Sequence, residues 1–300
     1  MSWHRVFLTV LIGLFSITFA LADNDDADRE GGIIGTGILG TITDLGSIYV
    51  NGQHIRFDPD FAIAEGVSVT TADELQPGHT VAVVATAEGD DWRAADIRQV
   101  VPLVGPVQAK SDVVLQIMGT TVLADAALLQ TIQPGDWIAV SGLWQSRQVI
   151  ATRLDPVDPG TPARIEGTAL DYEVGQPLRI GGTQITGLVP QHIQQGDVLR
   201  VTGAADAATL KAQRLETGVF AATPQVVFSE GYFSVPTASG LYTLLGADVV
   251  SYTDNPGMID PSARQLVCSN DGRLFPAPAD QLAPQEIASI LTKCASGVAW

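Results

Sequence analysis

The sequence predicts a mainly β chain: three tandem small β-barrel repeats, followed by a β-rich C-terminal module with one short helix and a closing disulfide. Three observations predict it. A turn-and-strand segment occurs three times, as Leu75-Gln-Pro-Gly-His-Thr-Val-Ala-Val, Ile132-Gln-Pro-Gly-Asp-Trp-Ile-Ala-Val and Ile193-Gln-Gln-Gly-Asp-Val-Leu-Arg-Val, and self-similarity at a fixed period marks a repeat architecture. From Gly78, Gly135 and Gly196 the same pattern can be counted downstream, an alanine sixteen residues on (Ala94, Ala151, Ala212) and an aliphatic nineteen on (Ile97, Leu154, Leu215). Both cysteines, Cys268 and Cys294, fall after the last repeat.

Residues 1–22 read as a secretory signal: His4 and Arg5 precede an apolar run from Val6 to Phe19, and Ala20-Leu-Ala22 has the small-x-small form of a cleavage site. Cleavage after Ala22 would place the chain in the periplasm or outside the cell. No cysteine follows that site to carry a lipid, and no later apolar run reaches the 18 residues a membrane helix needs. Residues 23–35 form an acidic leader; Asp23, Asp25, Asp26 and Asp28 lack the glycine and terminal glutamate of a calcium loop and read as a solvated tail.

Repeat 1 spans residues 36–103, repeat 2 residues 104–157 and repeat 3 residues 158–217. Each opens on a glycine (Gly40, Gly105, Gly167) and carries a turn between apolar runs, at Asn51-Gly52, Met118-Gly119 and Gly181-Gly182. Glycine and asparagine tolerate positive φ, so these are hairpin signals. The recurring core segment reads as a corner followed by a strand, because its apolar run is short and β-branched. Second hairpins have Thr86-Ala-Glu-Gly-Asp-Asp91, Leu143-Trp-Gln-Ser-Arg147 and Ala204-Ala-Asp-Ala-Ala208 as their tips. About five short strands per repeat suit a closed barrel of the oligonucleotide/oligosaccharide-binding (OB) kind, which leaves no open sheet edge. Opening glycine and core glycine lie 38, 30 and 29 residues apart, so repeat 1 carries an insertion, roughly Asp58 to Asp73, expected to be the elaborated loop of the array. Asp155-Pro-Val-Asp-Pro-Gly-Thr-Pro162 reads as a stiff linker.

With the aliphatic-Asn-Gly turn, the Leu-x-x-Gly-x-x-Val core and the terminal Ala-x-x-Ile in view, residues 36–217 resemble a family of secreted bacterial tandem-repeat β domains catalogued as a domain of unknown function. Repeat 3 departs from the pattern in lacking the core proline and in having Gly-Gly for Asn-Gly. The resemblance implies a fold and no activity.

Residues 218–300 are organised differently. Val226 to Val235, Leu241 to Leu245 and Val249 to Tyr252 read as strands. Pro284-Gln-Glu-Ile-Ala-Ser-Ile-Leu-Thr-Lys293 has proline at a first-turn position and apolar residues at 287, 290 and 291, the spacing of a short amphipathic helix. An even pair of cysteines in an oxidising compartment reads as a Cys268–Cys294 disulfide. Aromatic residues concentrate in this module, and Tyr232, Phe233, Tyr242, Tyr252 and Trp300 are its candidate partner surface, against the reading that they are packed core.

Chemistry is sparse. The net charge is −17, which disfavours polyphosphate ligands, and nucleic acid is excluded for want of a basic, aromatic-lined groove; Trp137 and Trp144 of repeat 2 could suggest stacking, but Trp137 sits in the core strand and reads as packing. The sequence carries no nucleophile elbow, zinc motif or P-loop, and no cofactor or metal site is expected. Gly35-Thr-Gly-Ile-Leu-Gly40 matches a dinucleotide fingerprint in letters but opens a strand. His54, His79 and His192 read as surface residues on turns. Two functions follow: a non-catalytic periplasmic or cell-surface scaffold presenting its C-terminal module to an envelope protein or glycan, or, alternatively, an enzyme or accessory subunit acting on envelope polymer through carboxylates such as Asp58 and Asp60.

Overall fold

The computed structural model describes residues 35–173, 175–188, 192–270, 273–279 and 284–295. The expected signal, nearly all of the acidic leader and Trp300 lie outside them.

Repeat 1 comprises β1 (Thr36–Leu45), β2 (Ile48–Val50), β3 (Gln53–Arg56), β4 (Thr80–Glu88) and β5 (Asp91–Val100). They pair in the closed ring β1-β2-β3-β5-β4, antiparallel throughout except β3 with β5. Repeat 2 repeats that ring with β6 (Leu103–Lys110), β7 (Val114–Ile117), β8 (Thr120–Leu123), β9 (Trp137–Gln145) and β10 (Gln148–Pro156), with a one-turn helix α1 (Ala126–Leu129) between β8 and β9. Repeat 3 has the same order in β11 (Ala163–Thr168), β12 (Arg179–Ile180), β13 (Thr183–Gly187), β14 (Val198–Asp206) and β15 (Thr209–Thr217), but β11 and β12 do not pair, so its barrel stays open. This is the strand order of the OB fold.

The recurring residues have identifiable work. In each core corner a side chain three residues on closes the turn: Gln76 N donates to His79 Nδ1 (3.0 Å), Gln133 N to Asp136 Oδ2 (2.7 Å) and Gln194 N to Asp197 Oδ2 (2.8 Å). The same corner then clamps the opening strand, through Gly78 N to Ile42 O, Gly135 N to Val107 O and Gly196 N to Ala169 O. The recurring alanine marks a bulge. Ala94 opposes Ala85, Ala151 opposes Gly142 and Ala212 opposes Gly203, and at each place the register slips by one residue. Small residues are needed there because the bulge presses backbone on backbone: a Cβ on Gly142 would come within 2.2 Å of Ile150 O, and one on Gly203 within 2.0 Å of Lys211 O.

The barrels share strands. The first half of β6 pairs with β11, and the second half with β7. Repeats 2 and 3 consequently share one core, and Trp144, 5% exposed, seals it by donating from Nε1 to Glu166 O (2.7 Å). Its indole lies where a Cβ on Gly167 or Gly181 would sit, at 2.7 and 2.8 Å, so glycine at both positions makes room for it. Trp144 is packing, and Trp137, as expected, packs against the same core.

The C-terminal segment continues repeat 1. It comprises β16 (Val226–Tyr232), β17 (Leu241–Leu244), β18 (Val249–Tyr252), β19 (Arg264–Asn270), β20 (Arg273–Pro278) and α2 (Pro284–Ala295). β16 lies parallel to the first half of β1, with Ile38 opposite Phe228, and β19 and β20 extend the sheet outward. α2 places Ile290, Leu291 and Cys294 in the core of repeat 1, together with Phe228, Leu266 and Cys268. The expected disulfide is present: Cys268 on β19 bonds Cys294 on α2, with their Cα atoms 6.3 Å apart and both residues fully buried. Among the described residues no helix is long and apolar enough to cross a membrane.

The insertion of repeat 1, expected to be the elaborated loop of the array, is tied down on two sides. It folds back on β5, where Gln99 Oε1 accepts from Val67 N (2.8 Å), and it reaches across to repeat 3. There Glu65, at φ 56°, lies 3.5 Å from Arg164 Nη2 and 3.5 Å from Arg214 Nη2, and its carbonyl accepts from Arg164 Nη1 (2.8 Å). Behind it Arg200 grips Glu166 with two bonds of 3.2 and 2.9 Å, both side chains 2% exposed. Extra residues that look like a functional loop are here an ionic fastening between barrels.

Candidate functional site

An open cleft of about 710 Å3 lies where repeat 3 meets the C-terminal segment. One wall is the core corner of repeat 3, with His192 and Asp197; another is the hairpin turn before β18, with Ala247 and Asp248; the floor is the connection from Thr217 to Gln225. Each wall is held by local chemistry. Asp197 is fixed by its bond from Gln194 N, and Gly196, at φ 99°, lets the corner approach Val250. The β17–β18 hairpin is anchored at its tip, where Gly246 N donates to Thr168 Oγ1 (2.8 Å) and Leu245 enters the core of repeats 2 and 3. That anchoring puts Asp248 at φ 57°, a left-handed conformation that aspartate tolerates better than most residues.

Two carboxylates therefore face the same cleft. Desolvation by the protein crowded around it, followed by the charge of Asp197, pushes the Asp248 carboxyl above its ordinary value against a hydrogen bond from the Val198 backbone. Among the described residues neither Asp248 nor Asp197 has a Lys, Arg or His partner within ion-pair distance, and no group of three or more metal-ligating side chains occurs. The cleft is anionic, desolvated on one side and free of internal counter-ions.

A second titratable cluster sits at the junction of repeats 1 and 2. His79 was expected on the surface and is instead 1% exposed. Its Nδ1 accepts from Gln76 N, which leaves the proton on Nε2 to donate to Asp155 Oδ2 (2.9 Å), and Asp155 also accepts from Arg153 Nε (2.7 Å). Burial alone would raise the Asp155 carboxyl, but the hydrogen bond from His79 together with the charge and bond of Arg153 hold it below its ordinary value. The stiff linker expected from Asp155 thus begins inside β10, as a junction residue. In the same junction Thr152 Oγ1 donates to Gly78 O (2.6 Å). Ser68 Oγ also donates to Asp155 Oδ2 (3.4 Å), so the cluster's hydrogen bonds are internally satisfied.

The other residues singled out in the sequence scatter. Phe233 is buried and meets Tyr242 edge-on at 5.3 Å; Tyr232 is half-buried, and Tyr252 is 68% exposed. His54 is half-buried, stacked on Tyr49 and bonded to Asp91 (2.8 Å), whereas His192 is exposed at the cleft rim. Asp58 is paired with Arg93 at 2.7 Å, both side chains open to solvent, and Asp60 is exposed. Sequence reasoning passed over Asp248 because a lone aspartate in a Gly-Ala-Asp turn carries no functional signal, and Asp197 entered only as part of the recurring core segment.

Comparison with known proteins adds fold and no chemistry. The family described as a domain of unknown function (DUF5666) matches residues 36–98 and 104–155. Each of the first two barrels therefore carries one copy of that domain. No curated protein and no solved structure matches the chain.

Proposed function

We propose that this chain is an exported, non-catalytic scaffold of the bacterial envelope whose barrels hold up a binding surface formed by the C-terminal segment, for an envelope protein or glycan. The observation that carries the reading is the origin of the cleft: of its seventeen lining residues only His192, Asp197 and Thr217 precede residue 218. Export is supported by the signal-like residues 1–22 and by a disulfide, which persists in oxidising compartments. The match of two barrels to a domain of unknown function assigns no reaction.

A truncation before β16 cannot test this, since it would strip Phe228, Leu266 and the disulfide from the core of repeat 1. The fitting experiment is capture of solubilised envelope proteins and of purified peptidoglycan by the mature chain and by Ala221→Trp, which fills the cleft from an exposed position. Capture by the wild type and its loss in Ala221→Trp is expected. Equal capture by both would move the binding surface elsewhere. The alternative, an envelope-polymer enzyme using Asp58 and Asp60, predicts hydrolysis that Asp58→Asn abolishes; an open, Arg93-paired carboxylate offers no sheltered acid for it.

A further inference from the structure

We infer that the cleft between repeat 3 and the C-terminal hairpin takes an extended basic peptide segment, with a lysine or arginine side chain seated between Asp197 and Asp248. This deepens the binding reading above and rests on it. Charge is the first ground. Two carboxylates that share a cleft and lack a cation partner among the described residues repel one another, and a cation between them removes that repulsion at no cost to an existing pair. His192, at the rim, is exposed. A chain of net charge −17 also steers cationic partners inward over distances of a Debye length.

The cleft's backbone is the second ground, and it selects a peptide over a free amine. From Phe220 to Thr223 the floor makes no backbone–backbone hydrogen bond among the described residues. Ala221, Ala222 and Thr223 are exposed there, so their N–H and C=O groups are presented along the floor. Across from it β18 pairs with β17 alone, and its first residues, Val249 and Val250, line the cleft. Small side chains on the floor let another backbone come close enough to use those groups, as in strand addition, while the carboxylates select the side chain. Polyamines or metal cations would satisfy the charge but leave the backbone strip unused.

Binding of the fluorescently labelled peptide Ala-Lys-Ala-Lys-Ala-Lys-Ala, followed by anisotropy with the full mature chain, tests this. The lysine peptide is expected to bind and its glutamate counterpart not to. Asp197→Asn and Asp248→Asn should each weaken binding roughly fivefold or more, the order of one partly solvated ion pair, with Asp112→Asn, an exposed carboxylate outside the cleft, within twofold of wild type. Spermidine at the peptide's concentration should fail to displace it. Asparagine keeps the left-handed turn at position 248 accessible; should either variant melt early, Ala222→Arg, which places a cation in the cleft from the floor, must abolish binding instead. No binding of the lysine peptide, displacement by spermidine, or an equal loss in Asp112→Asn would each overturn the inference. If the peptide fails while Ala221→Trp still abolishes envelope capture, the binding reading stands and the basic-peptide assignment falls.

Discussion

Removing the disulfide should destabilise repeat 1 as well as the C-terminal segment. In Cys268→Ala/Cys294→Ala the cross-link closing 26 residues is lost, which on the chain-entropy estimate releases about 3.5 kcal/mol of unfolded-state constraint. Two fully buried sulfur atoms go with it, adding roughly 1 kcal/mol each for lost contacts and residual cavity. The total, about 5 kcal/mol, corresponds to a fall in Tm of roughly 10–20 °C for a chain of this size. Alanine serves better than serine, because a buried hydroxyl without a partner would add its own penalty. The consequence specific to this fold is spatial. Cys268 pairs across to Phe228, and Phe228 lies opposite Ile38 of β1, so the damage is transmitted through two strand pairings into the first barrel. Calorimetry measures the shift, and amide hydrogen exchange locates it. Protection should fall in β1 and β4 together with β16 and β19, while β6–β15 keep theirs until the main transition. A Tm change below about 3 °C, or loss of protection confined to residues 264–295, would refute the reasoning.

The three core glycines make an internal comparison: all have φ near +95°, so alanine costs roughly 1–2 kcal/mol of backbone strain at each, but at Gly78 the new Cβ also meets Thr152 O at 2.7 Å, at Gly196 it meets Val250 at 3.2 Å and at Gly135 it meets nothing. Urea unfolding should rank the losses Gly78→Ala, Gly196→Ala, Gly135→Ala, and a largest effect at Gly135 would contradict the packing described. His79→Asp restores the residue found in the other repeats yet should destabilise by roughly 3 kcal/mol near pH 7, because it sets a second carboxylate against buried Asp155. Asp155 titrates below its ordinary value of 3.8 in the folded chain, so the stability it contributes is present above that value and is lost as pH falls through the lower, folded pKa; melting curves should show the wild type weakening below about pH 4 and the deficit of His79→Asp shrinking there. Glu166→Gln leaves Arg200 buried beside an amide, and chemical denaturation should register a loss of roughly 3–5 kcal/mol.

Local chemistry was sufficient for much of this architecture. Asn51, Gly52 and Gly181 sit at positive φ, and the runs beside them alternate, so the hairpins could be placed from residues alone; β18 and α2 fall where their periodicity put them. The threefold recurrence fixed the number of barrels, and two cysteines left one pairing to make. What the residues could not disclose is which strand edges meet. Backbone hydrogen bonding is generic, so nothing in Val226 to Tyr232 names β1, some 190 residues earlier, as its neighbour; the tertiary structure made that choice by burying Phe228 and α2 against one barrel. The same holds for side chains whose role depends on a distant partner. His79 and Asp197 occupy one position of the repeat, and only packing turned the first into a sealed junction with Asp155 and the second into the wall of a cleft opposite Asp248.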